Sequence, residues 1–478
     1  MPESPERPSS PLLGALGDRL FTPVDIASLV YFRIAFGVMM LWEMIHDFSP
    51  AMVKQFYIDP TFQFTYYGFG WVSPWPGSGM YWHVYGLATL AILISVGLWY
   101  RLSVTLFFLG FTYLFLLDQT RYINHFYFIC LLSFLLIFIP AHRAYSLDAW
   151  RRPTLYRDTV PALWLWLLRF QFSIVYFYGG VAKINGDWLR GKPLDAWLTR
   201  HTDFPLIGHL FTEQYMAYFF SYSGLLIDLF VVPLLLWRRT RLFALVVAVL
   251  FNLTNAHLWP IGIFPWLMIA GTLLFFPPEW PRRILAALRL VEAPQRYVAQ
   301  PDSPFQESRN TITISLLALY VLLQIVIPLR HFLYPGNVHW TEEGHRFAWH
   351  MMLRAKNIDI RFFVIDRAND KRAEVRLRSF LTPQQLSVMR ARPDMILQFA
   401  HYIAHSLRQQ GHTQFEVRAN ARGALNGREP QLFIDPGVDL ASQPRTLKHV
   451  VWVVPLADPA CRTCAPVTAA DEMRNLSQ

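Results

Sequence analysis

Long apolar stretches separated by short polar loops occupy most of the first 330 positions of the chain. A helix of about 20 predominantly apolar residues is long enough to cross the hydrocarbon core of a membrane. The pattern therefore predicts eight or nine membrane-spanning helices, since several stretches are short and the pair around 242–276 fits one broken span as well as two. The predicted spans lie near residues 26–46, 79–99, 102–118, 125–140, 162–182, 217–237, 242–258, 260–276 and 311–329.

After residue 330 the pattern changes to an alternation of apolar and polar positions, which indicates β-strands. Residues 382–407 interrupt it and predict one or two helices that begin at Thr382–Pro383. We expect an α-helical polytopic membrane domain followed by a mostly β, sandwich-like domain docked on its outer face. The predicted strands are 358–365, 373–380, 413–419, 431–435 and 448–456.

These patterns divide the chain into six parts. We predict a polar N-terminal tail (1–22), a transmembrane helical domain (23–283), a linker (284–310), a last transmembrane helix (311–330), a β-rich soluble domain (331–457) and a C-terminal tail (458–478). The N-terminal tail has no pattern of a cleavable signal peptide, so we expect the first span to direct membrane insertion.

Composition agrees with a membrane protein: 54% of the residues are hydrophobic, and only 16% are charged. The net charge of +10 does not indicate nucleic-acid binding, because the arginines cluster in alternate loops beside apolar stretches. Arginine-rich loops remain on the cytoplasmic side, so nine spans place the intervening loops and everything after residue 330 outside the cytoplasm. Three cysteines form no disulfide framework, and the sequence leaves open whether Cys461 and Cys464 pair.

Lysine is rare in this chain, which has only six lysines against 37 arginines, yet Lys183 stands at the outer end of a predicted span. His125, Asn255 and His257 lie at the same predicted depth on other segments, and Trp188, Arg200 and His201 follow Lys183 in one loop. A single lysine or histidine at this depth is usually an interfacial anchor. Convergence of several segments favours a functional site instead.

The residue types suggest a chemistry for this site. An amine in apolar surroundings loses its proton more readily and then serves as a general base, which an arginine does not do. Arg200 is able to hold a carboxylate by paired hydrogen bonds. Tyr176 and Trp188 suit a flat apolar ring such as a quinone, although an interfacial aromatic belt has the same composition. The ionisable residues inside the spans either face a cavity or pair with one another: Arg33, Glu43, Arg169 and Asp228.

The stretch QFSIVYFYGGVAKINGDWLRG (171–191) closely resembles the core signature of vitamin K-dependent γ-glutamyl carboxylases. The resemblance covers roughly residues 30–440, and the membrane part is similar to the horizontally transferred transmembrane domain of bacterial relatives. Further matching segments are INHFYF around His125, LTRH (198–201), IGIF (261–264), FFPPEWPRR (275–283), AWHMM (348–352) and FIDPGVD (433–439).

The resemblance implies an integral-membrane carboxylase that converts protein glutamyl residues to γ-carboxyglutamate. In this family O2-dependent epoxidation of a reduced naphthoquinone supplies the base, and CO2 is then added. Lys183 matches the lysine that deprotonates the hydroquinone, and His125, preceded by Asn124, matches the histidine of the glutamyl half-reaction. Arg200 and His201 match a pair to which we assign substrate carboxylate binding. Trp340 and Trp349 fall in a stretch that covers the site in relatives.

Two departures from the family pattern keep alternatives open. Asn252 stands where animal relatives have a histidine, and the chain is shorter after the β-rich domain, which puts recognition of a propeptide in doubt. We expect the cofactor to be reduced vitamin K or menaquinone hydroquinone, and we expect Tyr176, Trp188, Asn255 and His257 to surround it. We expect no metal. The expected partner is a glutamyl-containing protein or peptide. The alternatives are an epoxidase without carboxylation and a non-carboxylating quinone- or lipid-binding protein. A bacterial inner membrane is the expected location, with the active site outside the cytoplasm.

Overall fold

The computed structural model describes residues 19–289 and 311–457, without the side chains of 311–313. Most of the predicted N-terminal tail and of the linker, and the whole C-terminal tail with Cys461 and Cys464, lie outside the described residues.

A helix forms at each of the nine predicted apolar stretches, with ends within about four residues of the prediction. The apolar residues of these helices pack into one continuous core around Phe32, Phe107, Phe128 and Phe172. The nine helices are α1 (Ala27–His46), α2 (Gly79–Val96), α3 (Tyr100–Leu117), α4 (Asn124–Phe138), α5 (Ala162–Lys183), α6 (Gln214–Leu236), α7 (Arg241–Leu258), α8 (Phe264–Thr272) and α9 (Thr311–Leu329).

Six of these helices are long and apolar enough to cross a membrane: α1, α2, α3, α6, α7 and the helix at Ile314–Leu333. The predicted count of eight or nine spans is therefore not confirmed. Helix α4 has 15 residues and α8 only nine, both shorter than the hydrocarbon core requires. Helix α5 has 22 residues but carries Arg169 and Gln171 in its interior.

Arg33 and Arg169 do not pair with acidic residues of the spans. The guanidinium of Arg33 is completely buried and donates to the carbonyls of Ala141 (2.8 Å) and Tyr145 (2.5 Å) in the loop after α4. Arg169 donates to the carbonyls of Leu274 and Phe276 just after α8, at 2.8 and 3.1 Å. Carbonyls at and beyond a helix C-terminus lack intrahelical donors, so these arginines satisfy them and close one end of the helical domain.

The other end of the helical domain carries the C-terminal domain, whose described residues form one four-stranded antiparallel sheet with helices, so the predicted sandwich is not confirmed. The strands β3 (Lys356–Asp366), β4 (Arg372–Glu374), β5 (Phe415–Leu425) and β6 (Gln431–Ile434) lie in the order β4-β3-β5-β6. A separate two-stranded sheet, β1 (Pro23–Asp25) with β2 (Thr159–Pro161), belongs to the membrane part. The predicted strand at 448–456 contributes only an isolated bridge between Ile434 and Val453.

A helix takes the place of the expected second sheet. The segment after Thr382 forms two helices, α11 (Pro383–Met389) and α12 (Pro393–Gln409), after the short α10 (Val338–Thr341) earlier in the chain. Thr382 and Gln385 form a capping box at the start of α11, as the Thr-Pro signal predicts. The apolar face of α12 covers the sheet, and Phe399 meets Phe362 of β3 edge to face at 5.2 Å. One amphipathic helix is sufficient to bury one face of a four-stranded sheet, so a second sheet is not required.

A buried ion pair fixes the C-terminal domain to the helical domain. Arg428, in the turn between β5 and β6, donates two hydrogen bonds to the carboxylate of Asp187, at 2.7 and 2.6 Å. Asn426 adds a third bond to Asp187 at 2.8 Å. Both members of the ion pair have side chains less than 8% exposed. On another side, Gln385 donates to the carbonyl of Phe62 at 2.7 Å.

We predict that Asp187→Asn destabilises the protein by about 3–5 kcal/mol, because it leaves the buried Arg428 without its counter-ion. Thermal unfolding of the detergent-solubilised protein measures the loss. Asp359→Asn is the matched control: Asp359 lies 4.0 Å from Arg361 with its side chain 83% exposed, and removal of such a pair costs no more than about 1 kcal/mol. Equal unfolding temperatures for both variants would contradict a docking role for Asp187.

Candidate functional site

A cavity of about 740 Å³ opens between the outer halves of the helices and the underside of the C-terminal domain. Its size falls in the range of small-molecule sites, about 300–1,000 Å³. Apolar side chains of α6, α7 and α8 form much of the wall, among them Phe219, Phe220, Val247 and Met268. Polar and charged groups reach the wall from seven parts of the chain: Asp47, Arg121 with Asn124 and His125, Lys183, Asp228, Asn252 with Asn255, His345 with His350 and Arg354, and Arg392.

Two consecutive glycines bring α5 and α6 into close contact beside this cavity. A Cβ on Gly180 would lie 2.7 Å from the side chain and 3.2 Å from the backbone nitrogen of Leu229 on α6. A Cβ on Gly179 would lie 3.1 Å from the carboxylate of Asp228. Small residues let two membrane helices approach closely. Gly179 is one helical turn before Lys183 on the same face of α5, so this approach places Lys183 against Asp228.

Lys183 is buried and paired. Its Nζ lies 2.5 Å from Oδ2 of Asp228 and 3.2 Å from the carbonyl of Gly179, and the two charged side chains are 8% and 6% exposed. The ring of Trp188 lies 5.4 Å from Nζ. Asp228 thus pairs with Lys183 rather than with either intramembrane arginine. A carboxylate at this distance is able to accept a proton from the amine, which is the arrangement that a reversible base requires.

Asn124 and His125 lie on another part of the cavity wall, at the start of α4. Asn124 donates to the carbonyl of His350 at 3.2 Å and accepts from the hydroxyl of Tyr122 at 3.1 Å, so its side chain is held in one orientation. His125 is 8% exposed, and its Nε2 has no hydrogen-bond partner within the described residues. A Cβ on Gly262, whose φ is +56°, would lie 3.6 Å from this nitrogen. The IGIF segment therefore passes directly beside His125 and leaves room there.

The residues predicted around a quinone divide into two groups. Tyr176, Trp188 and Asn255 line the cavity, and Asn252 joins them there and donates to the hydroxyl of Tyr176 at 3.3 Å. The indole of Trp188 is fixed by a hydrogen bond from Nε1 to the carbonyl of Ser221, 2.9 Å. His257 is exposed and packs edge to face on Phe204 rather than lining the cavity.

The predicted carboxylate-binding residues also lie away from the cavity wall. Arg200 is exposed in the loop after α5, and the ring of His201 meets Trp259 edge to face at 5.5 Å. Trp340 is fully buried in the core of the C-terminal domain, where its Nε1 donates to the carbonyl of Val454 at 2.8 Å. Trp349 is fully buried against Phe128 in the core of the helices and does not line the cavity.

Sequence reasoning missed three arginines that do line the cavity: Arg121, Arg354 and Arg392. Arg121 stands over the ring of Phe56 at 4.2 Å, and Arg354 pairs with Glu342 at 2.6 Å. Arg392 is bonded to the carbonyl of Gln119 at 3.2 Å, and burial lowers its pKa to about 10, which leaves it charged at neutral pH. Arg121 precedes the INHFYF motif by only two positions, and this proximity was the one feature of the sequence that indicated a place near the site.

Comparison with known proteins gives two matches that together cover most of the chain. Residues 21–280 match the family model of the HTTM domain. Residues 309–459 match the family model described as the lumenal domain of vitamin K-dependent gamma-carboxylase. No solved structure matches the chain.

The buried contact between Lys183 and Asp228 predicts a specific pattern of stability. Asp228→Leu leaves an amine without its counter-ion, and we expect it to destabilise the protein by about 3–5 kcal/mol. The double variant Lys183→Met/Asp228→Leu removes both charges and should recover most of that loss, because an apolar pair of similar volume fits the same space. Thermal unfolding of the two single variants and the double variant measures the coupling. A double variant as unstable as the sum of the singles would show that the two side chains do not interact.

Proposed function

Because the chain belongs to the vitamin K-dependent γ-glutamyl carboxylase family, we propose that it is a peptidyl-glutamate carboxylase coupled to oxidation of a reduced naphthoquinone by O2. It is a multi-pass membrane protein with an extracytoplasmic domain. The observation that supports the proposal best is that one cavity contains both the Lys183–Asp228 pair and the Asn124–His125 pair. Two half-reactions that share a reactive product need such a common compartment.

The cavity fits a reduced naphthoquinone. Its wall is mainly apolar and aromatic, which suits a bicyclic ring with an isoprenoid tail, and its volume of about 740 Å³ holds such a molecule beside a glutamyl side chain. The polar groups, Asn252, Tyr176 and the Lys183–Asp228 pair, are able to meet ring hydroxyls. Vitamin K hydroquinone and menaquinone hydroquinone share this ring, so both are candidates.

In this proposal the Nζ atom of Lys183 accepts a proton from the hydroquinone and later releases it. Asp228 Oδ2, 2.5 Å away, is able to take up a proton from the amine, and the neutral Nζ then accepts one from a ring hydroxyl. The bound hydroquinone with O2 supplies the strong base that the reaction needs, since a γ-carbon proton is too weakly acidic for a lysine. The C-terminal domain above the cavity excludes water, which would otherwise quench that base.

His125 and the arginines of the cavity wall act on the glutamyl substrate. Neutral His125 offers an unpaired Nε2 inside the cavity, where it is able to accept or donate one proton during carboxylation. Asn124 and the charged Arg392 are positioned to orient the glutamyl carboxylate. Arg200 and His201, outside the wall, then contact a more distant part of the peptide. The proposed location is a bacterial inner membrane, with the site facing outward.

The direct test is incorporation of labelled bicarbonate into a short glutamyl peptide by the purified protein in detergent, with reduced vitamin K and O2. We expect label in the peptide, one epoxide or more per CO2 fixed, and no label without O2. Epoxide without labelled peptide would contradict carboxylation and leave an epoxidase. Neither product would contradict both activities and favour a binding protein of the same fold.

Variants of the two pairs separate the half-reactions in the same assay. Lys183→Ala should abolish both products, because quinone oxidation precedes carboxylation. His125→Ala should reduce labelled peptide by at least about 100-fold while it spares most of the epoxide, a loss typical of a missing acid–base group. His405→Ala, an exposed histidine of the C-terminal domain, is the control and should keep both products. Equal loss of both products in His125→Ala would remove His125 from the glutamyl half-reaction.

A further inference from the structure

Three buried histidines meet beside the cavity, in the segment that joins α9 to β3. His339 lies in α10, and His345 and His350 follow in the irregular stretch before β3. The three residues are 4%, 6% and 5% exposed. One ring nitrogen from each lies within 4.8 Å of the others, and the ring centroids are 5.0 to 6.1 Å apart.

Several nitrogens of this cluster lack an internal partner. Nδ1 of His339 and both ring nitrogens of His350 are buried and have no hydrogen-bond partner within the described residues. A buried polar atom without a partner costs about 1–3 kcal/mol, so three such atoms in one place require an explanation. A shared ligand for these nitrogens provides one.

The cluster has one charged group of each sign beside it. Arg354 lies against His345, and an imidazole binds a metal ion in its neutral form. Glu342 partly balances Arg354, and its carboxylate lies 2.6 Å from that guanidinium and 3.8 Å from Nδ1 of His345.

The spacing of the nitrogens is close to that of a metal site. Two nitrogens bound to tetrahedral zinc at 2.0–2.1 Å lie about 3.4 Å apart. The three nitrogens lie within 4.8 Å of one another here. Side-chain rotations that move each nitrogen by about one ångström bring them to the spacing of a zinc site. Nε2 of His345 accepts a hydrogen bond from Nη1 of Arg354 at 2.5 Å. Metal binding at this nitrogen exchanges that bond for a coordinate bond, while Arg354 keeps its contacts to Glu342.

The cluster also lies in a backbone segment that needs support. Glu342, Phe347, Trp349 and Met352 all have positive φ, between 52° and 64°, within one short stretch. Each such residue costs of order 1 kcal/mol or more, so the segment persists only where other contacts determine it. A metal ion bound to residues 339, 345 and 350 would tie three points of this segment together.

We propose that His339, His345 and His350 form a site for a divalent transition-metal ion, with zinc as the best fit. Three imidazoles with one open coordination position match the ligand preference of Zn²⁺. His345 and His350 line the cavity, so the open position faces the cavity and its contents. The proposed site differs from the expectation, from sequence alone, that the protein has no metal. It is independent of the proposed reaction.

The experiment measures metal in the full-length protein, purified without a histidine tag and in a Cys461→Ser/Cys464→Ser background, so that the C-terminal thiols do not contribute. After chelation and dialysis, we expect one equivalent of added Zn²⁺ to be retained per chain by elemental analysis. Co²⁺ in its place should give the visible absorption of a tetrahedral site. His339→Leu should weaken binding by at least about 100-fold, since even loss of a residue that only orients a ligand costs 10–100-fold.

His339→Cys keeps a ligand at the same position and separates a metal site from mere packing. We expect it to bind Co²⁺ with a new thiolate-to-cobalt absorption band, which no structural role of His339 would produce. His405→Leu should bind as the parent protein does. The proposal is overturned if the parent protein retains no stoichiometric metal, or if His339→Leu binds as tightly as the parent. It is also overturned if binding is lost in His125→Ala and kept in His339→Leu, because the metal would then sit among Glu43, Asp47 and His125.

Discussion

The contact between Lys183 and Asp228 is the constraint from which the rest of the site follows. A lone charge buried among apolar helices is expensive, so a lysine at this depth needs a partner within hydrogen-bond distance. That partner is on α6, 45 positions later, and it reaches Lys183 only because Gly179 and Gly180 let α5 and α6 approach. The same close approach forms one wall of the cavity. Packing, electrostatics and the position of the site therefore depend on one pair of helices.

The C-terminal domain completes the site from above, and its attachment begins four residues after Lys183. Asp187 pairs with Arg428 in the turn after β5, so the segment that ends α5 positions both the amine and the domain that covers it. Asn124 makes a second connection, through its bond to the carbonyl of His350. The irregular segment 342–355 contains the second connection and contributes His345, His350 and Arg354 to the cavity wall. Movement of the C-terminal domain would thus change the cavity directly.

Much of the fold could be predicted from the sequence because apolar stretches of fixed length specify helices locally. All nine helices form where the hydrophobic pattern predicts them, and Thr382 begins a helix as its capping signal indicates. The number of spans could not be predicted so well, since α4 and α8 are apolar but short. The expected sandwich is not confirmed, because alternation specifies strands but does not specify whether a second sheet or a helix such as α12 covers them.

The site shows the same division between local and long-range information. Lys183 and His125 stand out in sequence as polar residues at the ends of apolar stretches, and both line the cavity. Asp228 could be recognised in the sequence as an acidic residue inside a span. Its pairing with Lys183 could not be predicted, because helix periodicity carries no information about contacts between α5 and α6. Arg200 and His201 lie near Lys183 in sequence and still miss the cavity wall. The three histidines have spacings of six and five residues in an irregular segment, which match no metal-binding motif.

Chemical rescue of Lys183→Ala tests most directly whether the amine of Lys183 is the base. The variant removes the amine and leaves space beside Asp228, and small primary amines added to the assay are able to occupy it. The account predicts that they restore quinone epoxide formation in a folded Lys183→Ala protein, with rates that rise with the basicity of the amine. Epoxide formation at the wild-type rate without any amine would contradict the account, and so would a folded variant that no amine rescues.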